Sequence, residues 1–250
     1  MKEADRHIVA VSAALEVLAA FDRDVPLRLK DLHERTGQNR SRLLRLLGTL
    51  ENHGFVQSNS TDGTYELGGV LYRLGSLMND RFSRVDATIR PVLKRLVAET
   101  GDTAFFSSVE GLRRVVVVAE ESTEALRFTA REGQSRPLHL GASSKVLLAF
   151  ADAETRERAM AMVSEDEHPA ILKDIDEITA NGFAVSRGEI TPYGFAIAVP
   201  VTQDGGRVGA LSLAGVLSKL SPDLIDQHVD RLRSEAARLE LALRSPLATL

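Results

Sequence analysis

Residues 39–68 read NRSRLLRLLGTLENHGFVQSNSTDGTYELG, a stretch in which arginines alternate with leucines and a short apolar run leads into a polar turn. An apolar stripe at helical spacing predicts a helix here, and its members are Leu43, Leu46, Leu47 and Leu50. Asn39 can cap the start of this helix, and His53-Gly54 can end it. The residues that follow predict a β-hairpin whose turn is Asp62-Gly63.

Two more helices precede this stretch. Residues 8–21 repeat apolar side chains at helical spacing. Residues 27–37 form a shorter pattern that ends on Gly37, which readily takes the left-handed conformation of a helix end. Two short helices joined near Gly37, the second basic and followed by a hairpin, are the layout of a winged helix-turn-helix. This order of elements predicts that the basic helix enters the major groove of DNA.

The side chains expected to face the DNA lie on the side of this helix opposite its leucine stripe. They are Arg40, Ser41, Arg42, Leu44 and Arg45. Arginines on a helix face usually form only a solvated surface, and three helices with a hairpin can be a plain packing module. The order of the surrounding elements is what favours DNA binding. Leu44 could contact a thymine methyl group, or it could belong to the core or to a dimer contact.

Composition limits what the rest of the chain can be. A length of 250 residues fits two domains, and 44% hydrophobic with 26% charged residues is ordinary for a globular protein. The net charge of −4 restricts any nucleic-acid surface to a local basic patch. The chain has no cysteine, which excludes disulfides, thiolate metal sites and a cysteine nucleophile and suits the cytoplasm. No apolar run approaches about 18 residues, so we expect no association with a membrane.

The remainder of the chain predicts an α+β domain. Residues 69–83 form a linker helix, a second helix stops at Gly101, and a final helix runs from Pro222 to about residue 244. Short apolar runs predict strands between these helices, at 103–109, 113–120, 126–130, 182–186, 194–201 and 207–215. Such strands indicate a sheet flanked by helices.

Three of these strands place small side chains on one face. Because side chains alternate along a strand, the small face consists of Ala184, Ser186, Ala196, Ala198, Ala210, Ser212 and Ala214. If these faces align, the sheet leaves a space that its own side chains do not fill. Either a ligand or a closely packed helix can occupy that space.

A loop of small residues enters a helix at Gly141, Ala142, Ser143 and Ser144. The free backbone N–H groups and the positive end of the helix dipole favour a carboxylate there. His139 could assist, although a structural role is the simpler interpretation for it.

The chain resembles the IclR family of transcriptional regulators over nearly its full length. The resemblance rests on PLRLKDLHERTGQNRSRLLRLLGTLENHGFVQ, TYELGGVLYRLG, RPVLKRLVAETGDTAFFSSVEG, LHLGASSKVLLAF and RVGALSLAG, in this order and spacing. It implies a winged helix-turn-helix domain over 1–68, a linker helix over 69–83 and a GAF-like effector-binding domain over 84–250. Ser41 and Arg45 match residues usual in the family, whereas Arg42 replaces a small hydroxyl residue.

The resemblance also implies partners. The first is double-stranded operator DNA with an inverted repeat, read by a homodimer that can pair again into a tetramer. The second is a small organic acid, held by the 141–144 loop and by the positions of Ser186, Ala196, Ser212 and Ala214. Small-acid binders of the family tend to have Asp, Cys and Ser at the first, second and fourth of these positions. Their absence here favours a larger, partly apolar acid, such as an aromatic one.

Two other classes of function need weighing. Ser143, Ser144 and Lys145 suggest a Ser-Lys nucleophile, but the Ser-x-x-Lys spacing and any Gly-x-Ser-x-Gly elbow are absent. The chain also lacks a P-loop and a dinucleotide fingerprint, so we expect neither an enzyme nor a cofactor. The other alternative is a protein-interaction module that uses the winged helix for assembly. Salt-dependent affinity for DNA would distinguish a regulator from that module.

Overall fold

The computed structural model describes residues 8–21, 25–77, 79–202, 206 and 208–243, with the backbone alone for 79–84 and 208. The chain divides into two compact units, Met1–Asp80 and Arg81–Leu250. The finer boundaries at residues 68 and 83 stay a prediction. Within these described ranges, no helix is both long enough and apolar enough to cross a membrane.

Helices and strands follow one another in short groups along the chain. The helices are α1 (Val9–Ala19), α2 (Leu29–Thr36), α3 (Arg40–Asn52), α4 (Gly69–Ser76), α5 (Asn79–Thr100), α6 (Ala142–Ala149), α7 (Ala153–Met160), α8 (His168–Asn181) and α9 (Pro222–Leu243). The strands are β1 (Leu27–Arg28), β2 (Val56–Asn59), β3 (Thr64–Leu67), β4 (Thr103–Glu110), β5 (Arg113–Glu120), β6 (Ser135–Pro137), β7 (Ala184–Arg187), β8 (Gly194–Thr202) and β9 (Val208–Val216).

The first unit packs α1, α2 and α3 around buried leucines. Leu32, Leu43 and Leu47 belong to its core and are at most 1% exposed. Gly37 ends α2 with a φ of 66°, in the left-handed region, and α3 follows after only two residues. Asn39 caps α3, because its Oδ1 accepts the Arg42 N–H at 2.9 Å. The helix boundaries and this cap confirm the sequence prediction.

Removing the α3 cap should weaken this unit measurably. We expect Asn39→Ala to lower the free energy of unfolding by about 1 kcal/mol, since one N–H at the helix start loses its acceptor. Urea denaturation followed by circular dichroism measures the change. Asn39→Asp keeps a carboxylate acceptor and is the matched control. An unchanged midpoint for the alanine variant would show that the cap contributes nothing.

A three-stranded antiparallel sheet in the order β1-β3-β2 completes the first unit. The predicted hairpin is present, and its turn is held by Asp62, whose Oδ1 accepts the Thr64 hydroxyl at 2.7 Å. β1 was not expected, because two residues carry too little pattern to signal a strand. Its Leu27 pairs with Tyr65 and covers one edge of the hairpin.

The second unit is a six-stranded antiparallel sheet in the order β6-β5-β4-β9-β8-β7. One face packs against α5 and α9, through large side chains such as Phe106, Phe195 and Leu213. The other face packs against α6 and α8, through smaller side chains such as Ala184, Ala198 and Ala210. The sheet therefore has a large-residue face and a small-residue face, as the alternation along the late strands predicts.

Two details differ from the sequence prediction. Residues 126–130 form no strand, and the sheet instead gains β6, whose three residues pair with β5. The segment expected to be a single linker helix contains α4 and the start of α5, and Met78 falls outside the described residues.

Candidate functional sites

The outward face of α3 carries the residues predicted to contact DNA. Arg40, Ser41 and Arg45 are exposed, and Leu44 is 47% exposed, which removes the core from the alternatives for that leucine. Among the described residues, no carboxylate pairs with Arg40 or Arg45. These two guanidinium groups are available to a phosphate or a base edge.

Arg42 differs from its two neighbours. Its side chain is half-buried, and its Nη2 donates to the Val9 carbonyl at 3.4 Å, the first residue of α1. This contact ties α3 to α1 and leaves the Arg42 guanidinium less free to reach DNA. The sequence could not separate the three arginines, because the partner of Arg42 is 33 residues away.

The one acid of α3 points toward the hairpin. Glu51 accepts the backbone N–H of Ser58 at 3.1 Å and also the Ser58 hydroxyl. The Glu51 carboxylate therefore lies at the last turn of α3, bound to β2 and away from Arg40. Residues 55–68 contain no lysine or arginine, so this hairpin offers DNA hydroxyl and amide groups rather than charge.

The second candidate site is a cavity on the small-residue face of the six-stranded sheet. The small residues of β7, β8 and β9 do align, since Ala196 pairs with both Ser186 and Ala214, and Ala198 pairs with both Ala184 and Ser212. Helix α6 packs against part of this face, at Ala184, Ala198 and Ala210. Beside α6 a cavity of about 30 Å³ remains, and Phe105 and Phe128 line it together with Ala196. Close helix packing and an unfilled space therefore both occur, at different places on the same face.

The residues predicted to bind the effector divide into two groups. Those that line the cavity are Gly141, Ala142, Ser143, Ser186 and Ala196. Those that lie buried outside its lining are Ser144, Ser212 and Ala214. Ser144 and Ser212 each bury a hydroxyl oxygen that has no hydrogen-bond partner within the described parts of the chain. Ala214 packs with Phe105 just behind the cavity wall.

An internal carboxylate occupies the start of α6. Glu189, from the loop between β7 and β8, accepts the Gly141 N–H through Oε2 at 3.1 Å and the Lys145 Nζ through Oε1 at 3.0 Å. Asp174 pairs with the same lysine at 2.8 Å. Burial alone would lower the pKa of Lys145, but the hydrogen bonds to Asp174 and Glu189 raise it above its usual value. Lys145 therefore stays charged and holds Glu189 at the helix end.

The same loop approaches α6 closely at Gly141. This residue has a φ of +87°, and a Cβ there would lie 2.7 Å from Ile190 Cδ1. The backbone conformation therefore favours glycine, and a side chain there would also displace the end of Ile190. Loop 188–193 lies against the helix start, and Glu189 and Ile190 line the cavity.

Two arginines in the cavity wall were not expected from the sequence. Arg114 is only 4% exposed, and it pairs across the sheet with Arg136. The guanidinium carbon of Arg114 lies 5.9 Å from the centre of the Phe105 ring. Burial, followed by the charges of Arg136 and Arg113, lowers the pKa of Arg114 to about 10. Arg114 therefore stays charged at neutral pH, directly opposite Arg136 on β6. Strand alternation through 113–120 was the available signal, since it puts Arg114 on the same face as Val116.

The comparison with known families covers both units. Residues 10–60 match the family described as IclR helix-turn-helix domain, and residues 83–240 match that described as Bacterial transcriptional regulator IclR C-terminal. The HTH-type transcriptional regulator KipR of Bacillus subtilis is 26% identical over 241 residues, which span 92% of this chain and 94% of KipR. Relatives of this kind are named as transcriptional regulators and not as enzymes.

Solved structures agree with the sequence comparison. An IclR transcriptional regulator from Alicyclobacillus acidocaldarius has a TM-score of 0.72 at 25% identity, with 97% of this chain and 100% of that one covered. An IclR homologue from Microbacterium hydrocarbonoxydans, solved with 4-hydroxybenzoate, has a TM-score of 0.69 at 23% identity, with 94% and 99% covered. At that identity the second likeness shows the fold alone. With both units matched, the chain belongs to the IclR family of bacterial transcriptional regulators.

Proposed function

We propose that this regulator binds operator DNA through α3 and that a small organic acid in the cavity of its second unit changes that affinity. The observation that carries the DNA-binding part is the outward face of α3, where Arg40 and Arg45 are exposed beside Ser41 and Leu44. The proposed contact set is the predicted one, Arg40, Ser41, Arg42, Leu44 and Arg45. Among the three arginines, we expect direct contacts of Arg42 to contribute least to the DNA affinity, since its side chain already donates to Val9. Such a regulator acts where the DNA is, in the cytoplasm.

We further propose that the protein binds DNA as a homodimer. The first unit exposes large apolar side chains on two of its helices: Ile8 at the start of α1 and Leu15 on it are 70% and 60% exposed, and Tyr72 on α4 is 83% exposed. Apolar surface of this extent favours a protein contact. Two copies related by a two-fold axis would present two α3 helices to an inverted repeat. The proposal includes the pairing of two such dimers into a tetramer.

The proposed effector site is the cavity on the small-residue face. Its support is the set of predicted residues that line it, Gly141, Ala142, Ser143, Ser186 and Ala196, with Ser144, Ser212 and Ala214 in the layer behind. The Microbacterium homologue was solved with 4-hydroxybenzoate, an aromatic acid of the class that this sequence favours. An acid that binds one arrangement of the dimer better than another would shift the spacing of the two α3 helices and hence the DNA affinity.

A footprint of the protein on DNA upstream of its own gene, repeated with a panel of organic acids, tests both parts. We expect a protected inverted repeat whose protection changes with at least one acid and falls steeply with salt. Protein that shows no salt-dependent DNA affinity would be an interaction module. A footprint that no acid alters would separate DNA binding, which would stand, from effector control, which would not.

A further inference from the structure

The cavity wall holds two positive charges that lack a negative partner within the described parts of the chain. Arg114 and Arg136 are directly opposed on β5 and β6, and the Nε atom of each is buried without a hydrogen-bond partner in the described structure. Neither side chain forms an ion pair with a described carboxylate. Like charges directly opposite each other destabilise a sheet, and a buried charge without a partner is costly. An anion between the two guanidinium groups would remove both costs.

The opposite side of the cavity already carries a negative charge, the carboxylate of Glu189. Glu189 occupies the N-terminus of α6, where it is held by the Gly141 N–H and by Lys145. A second carboxylate at the same place would lie beside Glu189, and each would repel the other. At Gly141, one residue of the carboxylate position predicted from the sequence, a side chain of the protein itself therefore already accepts the N–H.

The sheet order separates these two sides. Arg114 and Arg136 lie on β5 and β6, whereas Glu189 follows β7 at the other edge of the sheet. Apolar side chains line the cavity between them, among them Phe105, Phe128 and Ala196. The cavity thus has a cationic side, an apolar middle and an anionic side. This order of groups specifies the orientation of a ligand.

We propose that the effector is an aromatic or similarly apolar carboxylate whose acid group binds between Arg114 and Arg136, with its body against Phe105, Phe128 and Ala196. Glu189 stays at the start of α6 and faces the end of the ligand remote from its acid group. This inference rests on the proposed effector function and refines it, since it reverses the orientation expected from the sequence. Guanidinium groups suit this role because they bind carboxylates in a bidentate manner.

Binding requires the cavity to widen. Its volume is about 30 Å³, whereas a cavity of roughly 150 Å³ holds a benzene ring. Ile190, which packs on Gly141, lines the cavity from loop 188–193. Rotation of the Ile190 side chain away from the cavity would make room while leaving Glu189 at α6 and the arginine pair on its strands.

Calorimetric titration of the full-length protein with benzoate and with benzamide tests the proposal, because benzamide keeps the shape of benzoate but lacks its charge. We expect benzoate to bind, and we expect Arg114→Gln to weaken it by about 30-fold or more, the effect of removing one partner from a buried charge pair. Benzamide should bind weakly to both proteins. Arg113→Gln is the matched control, since Arg113 is an exposed neighbour on the same strand and donates to Ser135.

The same titrations can give results that contradict the proposal. Equal affinity of the wild type and Arg114→Gln for benzoate, including no binding by either, overturns it. If Arg114→Gln does not fold, as judged by circular dichroism, Arg136→Gln gives the same comparison at a half-buried position. Glu189→Gln should keep benzoate binding. If Glu189→Gln strengthens binding while both arginine variants leave it unchanged, the acid lies at α6 instead.

Parallel footprints separate this inference from the proposed function. An acid that alters operator protection by the wild type and by Arg114→Gln alike would support effector control and overturn the arginine anchor. Benzoate binding that depends on Arg114 and leaves operator protection unchanged under every acid would support the anchor and overturn effector control.

Discussion

Replacing Arg45 by alanine should weaken operator binding by about 30-fold or more. One bidentate arginine–base contact contributes about 1–3 kcal/mol, and a two-fold dimer loses two such contacts with each substitution. Arg45 is a strong candidate because, like Arg40, it is exposed and has no ion-pair partner among the described residues. Fluorescence anisotropy with operator DNA, at several salt concentrations, measures the loss.

The salt series also identifies the kind of contact. A base contact would relax specificity at one position of the operator, whereas a phosphate contact would weaken all sequences and flatten the salt dependence. Arg42→Ala should have a smaller effect, because that side chain already donates to Val9. Arg131→Ala removes the same charge from an exposed position of the second unit and should leave binding unchanged. Full affinity in the alanine variants of Arg40, Arg42 and Arg45 would mean that α3 is not the recognition helix.

A large loss of stability is expected when His228 is replaced by alanine. Its Nε2 lies 2.8 Å from Asp102 Oδ2, and both side chains are buried in the second unit, at 1% and 7% exposure. Removing one partner of a buried pair leaves the other without compensation, which costs about 3–5 kcal/mol. Asp102 lies immediately before β4 and His228 lies on α9, so this pair joins the sheet to the last helix.

Urea denaturation of the full-length variant measures this effect as a lower free energy of unfolding. His228→Gln can still donate to Asp102 and should lose clearly less than His228→Ala. A loss below about 1 kcal/mol for the alanine variant would show that Asp102 finds another partner or reaches water. The pair has no place in the proposed effector site, so benzoate binding serves as an independent check that the variant is folded.

The parts of the fold that the sequence predicts well are those whose interactions are local. The α3 helix follows from leucines three and four residues apart, and its cap joins Asn39 to Arg42, three residues later. The aligned small faces follow from strand alternation, because neighbouring strands must bring the same face to the same side. The strand predicted at 126–130 was wrong, because a short apolar run can also pack as a loop.

The effector cavity was predicted only in part, because several of its walls come from distant segments. Ser186 and Ala196 were found by alternation, but Glu189 reaches the α6 terminus across 48 residues of sequence. Arg114 was missed because its partner across the sheet, Arg136, lies on β6, a strand that the sequence did not predict. A bulge also interrupts β5, where Phe106 pairs with Val118 but Ser107 pairs with Val116. The bulge allows Val116 and Val118 to pack in different clusters on opposite faces, which a strict period of two would not allow.

Periodicity and capping thus predict most of the helices and strands, the basic face of α3 and the small-residue face of the sheet. Each of these depends on interactions within a few residues, and such interactions are present in any conformation that forms the element. Packing settles the other properties: which arginines of α3 are free, which carboxylate lies at the start of α6 and which charges in the cavity stay unpaired among the described residues. Those properties depend on contacts such as Glu189 with Gly141, 48 residues apart, which exist only once the sheet and its helices have packed together.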